Sequence, residues 1–100
     1  MKKLYISQPM RDKTDEQILA ERARIMEVVK AKYPEEEIVV LDTFFQGAPH
    51  DAKPLWFLAK NLEFLSTADI AAFAPGWDKY RGCKVEHTCA EDYGIKIIMD

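Results

Sequence analysis

Asp69-Ile70-Ala71-Ala72-Phe73-Ala74-Pro75-Gly76, followed by the segment from Arg81 to Tyr93-Gly94 and then Ile95-Lys96-Ile97-Ile98-Met99, decides the fold. Asp69 to Ala74 is a short apolar run closed by Pro75-Gly76, which reads as a strand. A helix is expected from about Arg81 to Tyr93, and Gly94 stands where a C-cap glycine ends one. Ile95 to Met99 is then a second apolar strand. Two strands joined by a helix run parallel, with a right-handed crossover.

The same alternation extends back to the N-terminus. Leu4-Tyr5-Ile6 is a strand that ends at Ser7-Gln8-Pro9. Thr14-Asp15-Glu16-Gln17 has the form of a capping box, and its acids suit the positive end of a helix dipole. Ile18, Leu19, Ile25, Met26 and Val29 recur at helical spacing, and Pro34 stops that helix near Lys32 or Tyr33. Glu37 to Asp42 encloses a continuous β-branched apolar run, as strands buried on both faces do. A loop from Thr43 to Lys53 carries Gly47 and Pro49. Pro54 fits the first turn of a helix whose stripe is Leu55, Leu58, Ala59, Leu62 and Leu65. The order β-α-β-α-β-α-β predicts one α/β domain over residues 1–100. Its four-stranded parallel sheet, in the order 2-1-3-4, has three helices on its two faces.

Composition narrows the function. The chain has 14 basic and 17 acidic residues, a net charge of −3, and the two signs are interspersed. A groove for polymeric nucleic acid would want a basic stripe. No apolar run approaches the ~20 residues of a membrane span, and Met1 to Ser7 is too short in its apolar part for a signal peptide. Cys83 and Cys89 are the only thiols, so a reduced, cytoplasmic protein is expected. Phe44, Phe45, Trp56, Phe57 and Trp77 exceed what so small a core hides. Some should line a pocket for a flat ligand or a contact between subunits, and a homo-oligomer is expected.

In a 2-1-3-4 sheet the topological switch lies between strands one and three, and ligands bind outside the carboxyl ends of the strands. The lining loops would be 7–13 and 75–82, with the first turn of the third helix. They hold Ser7, Gln8, Pro9, Met10, Arg11 and Asp12, then Trp77, Asp78, Lys79, Tyr80 and Arg81, with Glu86 and His87 beyond. Glu86 is a candidate nucleophile or base, or else a solvated helix glutamate. Tyr5 is a core tyrosine or a hydroxyl that orients the cleft carboxylate. Asp78 is a proton donor to a leaving group or a helix cap. Asp69 falls at the end of the sheet away from the cleft, and Asp42 on the cleft side. Arg11 with free amides near Thr14 is a phosphate contact or a solvated arginine. Cys83 and His87 are four apart on one helical face, but two ligands do not make a metal site. The GxSxG, GxGxxG and GxxxxGK[ST] patterns are absent.

Leu4-Tyr5-Ile6-Ser7-Gln8-Pro9-Met10-Arg11, together with Ala68-Asp69-Ile70 and Gly82-Cys83-Lys84-Val85-Glu86…Ala90, resembles the nucleoside 2-deoxyribosyltransferase superfamily. The closer resemblance is to its short, DUF4406-like branch of phage and bacterial proteins, and it covers nearly the whole chain. It implies a flavodoxin-like three-layer sandwich. It also implies transfer or hydrolysis of the N-glycosidic bond of a nucleoside or nucleotide, with no metal or redox cofactor. Carried over by position, Glu86 is the nucleophile, Tyr5 its orienting tyrosine, and Asp69 the aspartate at the start of the third strand. Asp78 is the acid, displaced by two positions from the family's pattern. Ser7 to Arg11, Trp77, Arg81 and Gly82 would surround the substrate. The family's acid and small residue before the glycine are replaced here by Tyr80 and Arg81. The alternative is therefore a non-catalytic nucleotide-binding module of the same fold.

Overall fold

Over residues 1–41 and 50–99, which the structure describes, the computed structural model runs β1 (Lys2–Ser7), α1 (Asp15–Lys32), β2 (Ile38–Val40), α2 (Pro54–Ser66), β3 (Ile70–Phe73), a 3₁₀ turn (Trp77–Lys79), α3 (Arg81–Asp92) and β4 (Lys96–Met99). The four strands form one parallel sheet in the order β2-β1-β3-β4, as the sequence pattern predicts.

Local chemistry sets the helix ends. Thr14 Oγ1 accepts from the Gln17 amide at 3.1 Å, and Gln17 Oε1 accepts from the Thr14 amide at 2.9 Å. That reciprocal pair satisfies two amides that a helix start leaves orphaned. Asp15 and Glu16 in the first turn, with Lys30 and Lys32 in the last, match the α1 dipole. At the end of α3, Gly94 takes φ 73°, which costs glycine little. Its amide bonds Glu91 O at 3.4 Å and the Ile95 amide bonds Ala90 O at 2.9 Å, a Schellman closure that turns the chain into β4.

The period-2 alternation of β1 sorts the core into two layers. Leu4 and Ile6 pack with Ile25 and Val29 of α1 and with Ile70, Ala72 and Ile98. Tyr5 points to the opposite face, with Leu65 of α2, Ala90 of α3, Ala71 and Phe73. Ser7 follows Tyr5 by two residues and so shares the face that α3 covers.

Several expectations are corrected. β2 is only Ile38–Val40, and Val39 is 37% exposed, because β2 is an edge strand covered less than β1 and β3. Leu19 is exposed: it lies one residue round the helix from Ile18, outside the buried line of Ile18, Ile25 and Val29. Leu55 is also exposed, at the first turn of α2, and within that helix only Leu65 is fully buried. Asp42, Phe44, Phe45 and the rest of 42–49 lie outside the described residues. Among the described residues no helix is long and apolar enough to cross a membrane.

Candidate active site

Two periodicities meet at the carboxyl ends of β1 and β3. On α3, Cys83, Glu86 and Ala90 are the buried residues, at the i, i+3, i+7 spacing of one helical face. Ala90, fully buried, lets α3 lie close on the sheet, and Glu86 one turn earlier comes down over Tyr5 and Ser7. A glutamate at a core-facing position, 4% exposed, has little water to solvate it, so most of its partners must come from the protein. Ser7 Oγ donates to Glu86 Oε1 at 2.7 Å. The Tyr5 hydroxyl and the Asn61 side-chain amide are further donors to the same carboxylate.

Burial pushes the Glu86 carboxyl above its usual value of 4.5, while the bonds from Ser7, Tyr5 and Asn61 pull it back down. Glu86 lies beyond the first turn of α3, where the helix dipole has faded, so the pull that opposes burial comes from these neutral donors rather than from the helix end. Burial, and then the neighbouring Glu86 charge, hold the Tyr5 phenol firmly protonated, so it acts as a donor. Burial also pushes the Cys83 thiol up. A protonated thiol is a poor nucleophile.

A cleft of about 490 Å³ opens onto Glu86. One wall is the loop after β1, with Gln8, Pro9, Met10 and Arg11. The other is α2, with Phe57, Leu58 and Asn61, and Tyr80, Gly82 and Cys83 close the end. An adjoining hollow is lined by Arg11, Lys79, Tyr80 and Arg81. The loop is fastened from behind. Gln8 is buried toward α1, and its Nε2 donates to Ile18 O at 3.2 Å and Glu21 Oε1 at 3.1 Å. Its Oε1 accepts from Arg22 Nη1 at 3.2 Å, and Arg22 Nη2 also reaches Leu41 O at 3.4 Å. The Gln8 amide is thus occupied in bracing the loop. Asp12 takes φ 65°, a left-handed conformation that aspartate tolerates, and turns the chain back toward α1.

The structure therefore brings together Tyr5, Ser7, Gln8, Pro9, Met10, Arg11, Gly82 and Glu86, with Arg81 in the adjoining hollow. It does not bring Asp69 there. Asp69 precedes β3 at the opposite end of the sheet, where its Oδ2 accepts from the Lys3 amide at 2.8 Å. Trp77 turns inward onto Phe73 and stacks on His87, with ring centroids 4.2 Å apart and 10° between planes. The next residue, Asp78, faces solvent as a consequence and does not line the cleft. His87 is spent on that stack and is not presented to the cleft. Among the described residues no three His, Cys, Asp or Glu side chains group as metal ligands.

Tyr80, from the expected lining loop, and Phe57, from the aromatic set, line the cleft, and Asn61 is a cleft residue that the sequence reading misses. Asn61 had a signal: it falls at the i, i+3, i+7 spacing of Leu58 and Leu65, an amide on the inner face of an apolar helix. No protein-family model and no curated protein matches this chain.

Proposed function

We propose that the cleft cleaves or transfers the N-glycosidic bond of a nucleoside or nucleotide, with Glu86 as the carboxylate nucleophile. The observation that carries this reading is a buried Glu86, 4% exposed, held by Ser7 at 2.7 Å at the floor of a cleft of nucleoside scale. A stabilising carboxylate would be paired with a cation or left at the surface. One held only by neutral donors, with a cleft above it, is poised to form a bond.

The chemistry runs in two displacements. A Glu86 oxygen attacks the anomeric carbon. The bond to the base breaks, and its electron pair leaves on the base nitrogen, which takes a proton from water at the cleft mouth. Water or a second base then attacks the same carbon, and Glu86 departs as the carboxylate. With water as acceptor, the incoming molecule loses its proton to solvent. Ser7 and Tyr5 hold the attacking oxygen in line, and Phe57, Met10 and Tyr80 offer apolar faces for the base. The resemblance of Tyr5, Gly82 and Glu86 to the deoxyribosyltransferase pattern supports the same roles. The fuller reading is a cytoplasmic homo-oligomer that acts on a small nucleoside or nucleotide and not on a polymer.

One observation favours a second reading. Among the described lining residues Glu86 is the only carboxylate, so no carboxylic acid stands ready to protonate the leaving base. A module that binds a nucleotide without turnover fits that feature. Incubation with ribo- and deoxyribonucleosides and their 5′-monophosphates decides between the two. The glycosyl reading expects released base from the native protein and none from Glu86→Ala. Ligand-dependent stabilisation in a melt, with no base after long incubation, establishes the binding module instead. Saturation at 100-fold over Kd would add about 2.7 kcal/mol and be plain in such a melt.

A further inference from the structure

Asn61 offers more than the carboxylate uses. Its amide nitrogen side serves Glu86. Its Oδ1 is buried with no hydrogen-bond partner, and it is the one such side-chain atom found among the described residues. A buried acceptor left unpaired is costly, and native proteins rarely keep one without a use. This acceptor belongs to a residue that lines the cleft beside the proposed nucleophile. A ligand donor that reached this acceptor would satisfy it.

The two heteroatoms of an amide share one carbon, so Oδ1 sits next to the carboxylate that the nitrogen serves. If Glu86 attacks an anomeric carbon, the groups around that carbon decide which donor is near. The ring oxygen and the base nitrogen on C1′ carry no hydrogen. The adjoining C2′ carries either a hydroxyl or only hydrogens. Resting on the glycosyl reading above, we propose that Asn61 is a specificity-determining residue whose Oδ1 accepts a hydrogen bond from the sugar 2′-hydroxyl. The cleft then takes ribosyl substrates ahead of 2′-deoxyribosyl ones.

Two general effects work in the same direction. Hydrogen bonds to a 2-hydroxyl strengthen as the oxocarbenium-like transition state forms. A site built to bond a hydroxyl also rejects the analogue that lacks it, because its own polar atom stays unpaired.

The test is kcat/KM for base release from adenosine, cytidine and their 5′-monophosphates against the matching 2′-deoxy compounds, in the native protein and in Asn61→Ala. The expected result is a ribo preference of about 10²-fold in the native protein. In Asn61→Ala both substrates slow, since the donor to Glu86 is lost, but the preference drops by at least about tenfold. Equal rates, a deoxy preference, or a ribo preference that survives in Asn61→Ala overturns the role of Asn61 and leaves the glycosyl reading standing. No released base from any compound overturns both. The native ratio needs no variant, so a poorly folded Asn61→Ala does not rescue the proposal.

Discussion

α2 and α3 enclose a hollow at each end of the sheet, and the two hollows are built differently. The lower one, about 410 Å³, is lined by Leu62, Leu65, Ser66, Cys89, Tyr93 and Ile95, with no carboxylate among them. The carboxylate at that end of the sheet, Asp69, stays at the surface and bonds the Lys3 amide, while its own amide donates to Lys3 O at 2.9 Å. It ties β3 to β1 and does nothing that burial would disturb. At the upper end the same helices bury Glu86 and surround it with Ser7, Tyr5 and Asn61. Both acids sit at an end of the same parallel sheet, yet one serves the fold and the other works against it. What separates the two acids is environment: burial among neutral donors beside an open cleft for Glu86, a surface backbone bond for Asp69.

The largest effect that would break this contrast is on turnover. Glu86→Ala should lower base release by about 10³-fold or more, whereas Asp69→Ala should leave it unchanged. Loss in both, or in neither, would erase the distinction between the two ends. Next is Ser7→Ala, expected to cost about 10- to 100-fold in kcat/KM. The acid limb of its pH profile should move to higher pH, since the Ser7 bond is one of those that pull the Glu86 carboxyl down. A profile that scales without shifting would mean that Ser7 does not act through Glu86.

Smaller effects sharpen the comparison through stability. Because burial raises Glu86 above 4.5, its contribution to stability is present below that pH and is lost as pH rises through the folded-state value. At neutral pH, above the unfolded-state value, the group is a deficit. Glu86→Gln should therefore melt higher than the native protein at pH 7, by on the order of 1 kcal/mol or about 4–8 °C, and the gap should close as the pH is lowered. Scanning calorimetry at several pH values reads this directly. Asp69→Ala should move the melt the other way, by about 0.5–1 kcal/mol, through the lost bond to Lys3.

The sheet order and helix placement were legible in the sequence because each element announces itself locally. The Thr14–Gln17 box, the Gly94 stop and the apolar runs at 4–6, 70–74 and 95–99 are short-range signals with one physical reading each. The switch-point rule places the cleft at the carboxyl ends of β1 and β3 and collects Ser7, Glu86 and the loop from Gln8 to Arg11, while Tyr5, inside β1, reads equally as core or as an orienting hydroxyl. What stayed illegible depended on direction and not on position. Trp77, Asp78 and His87 are in the expected segments, but the Trp77–His87 stack turns two of them away and leaves the third outside. Gln8 reaches the loop that lines the cleft, yet its amide is drawn to Ile18, Glu21 and Arg22 behind it. Asn61 was hidden because α2 is distant in sequence, although a polar residue inside its apolar line was there to be read.

The most direct test is to catch the bond itself. The native protein, incubated with a nucleoside that it cleaves and quenched in acid, is digested, and its peptides are weighed by mass spectrometry. A mass increase equal to one glycosyl group on the peptide that contains Glu86, absent from Glu86→Gln treated alike, is the predicted result. Glycosyl attached elsewhere, or base released at the native rate by Glu86→Gln, would contradict a nucleophile at the floor of this cleft.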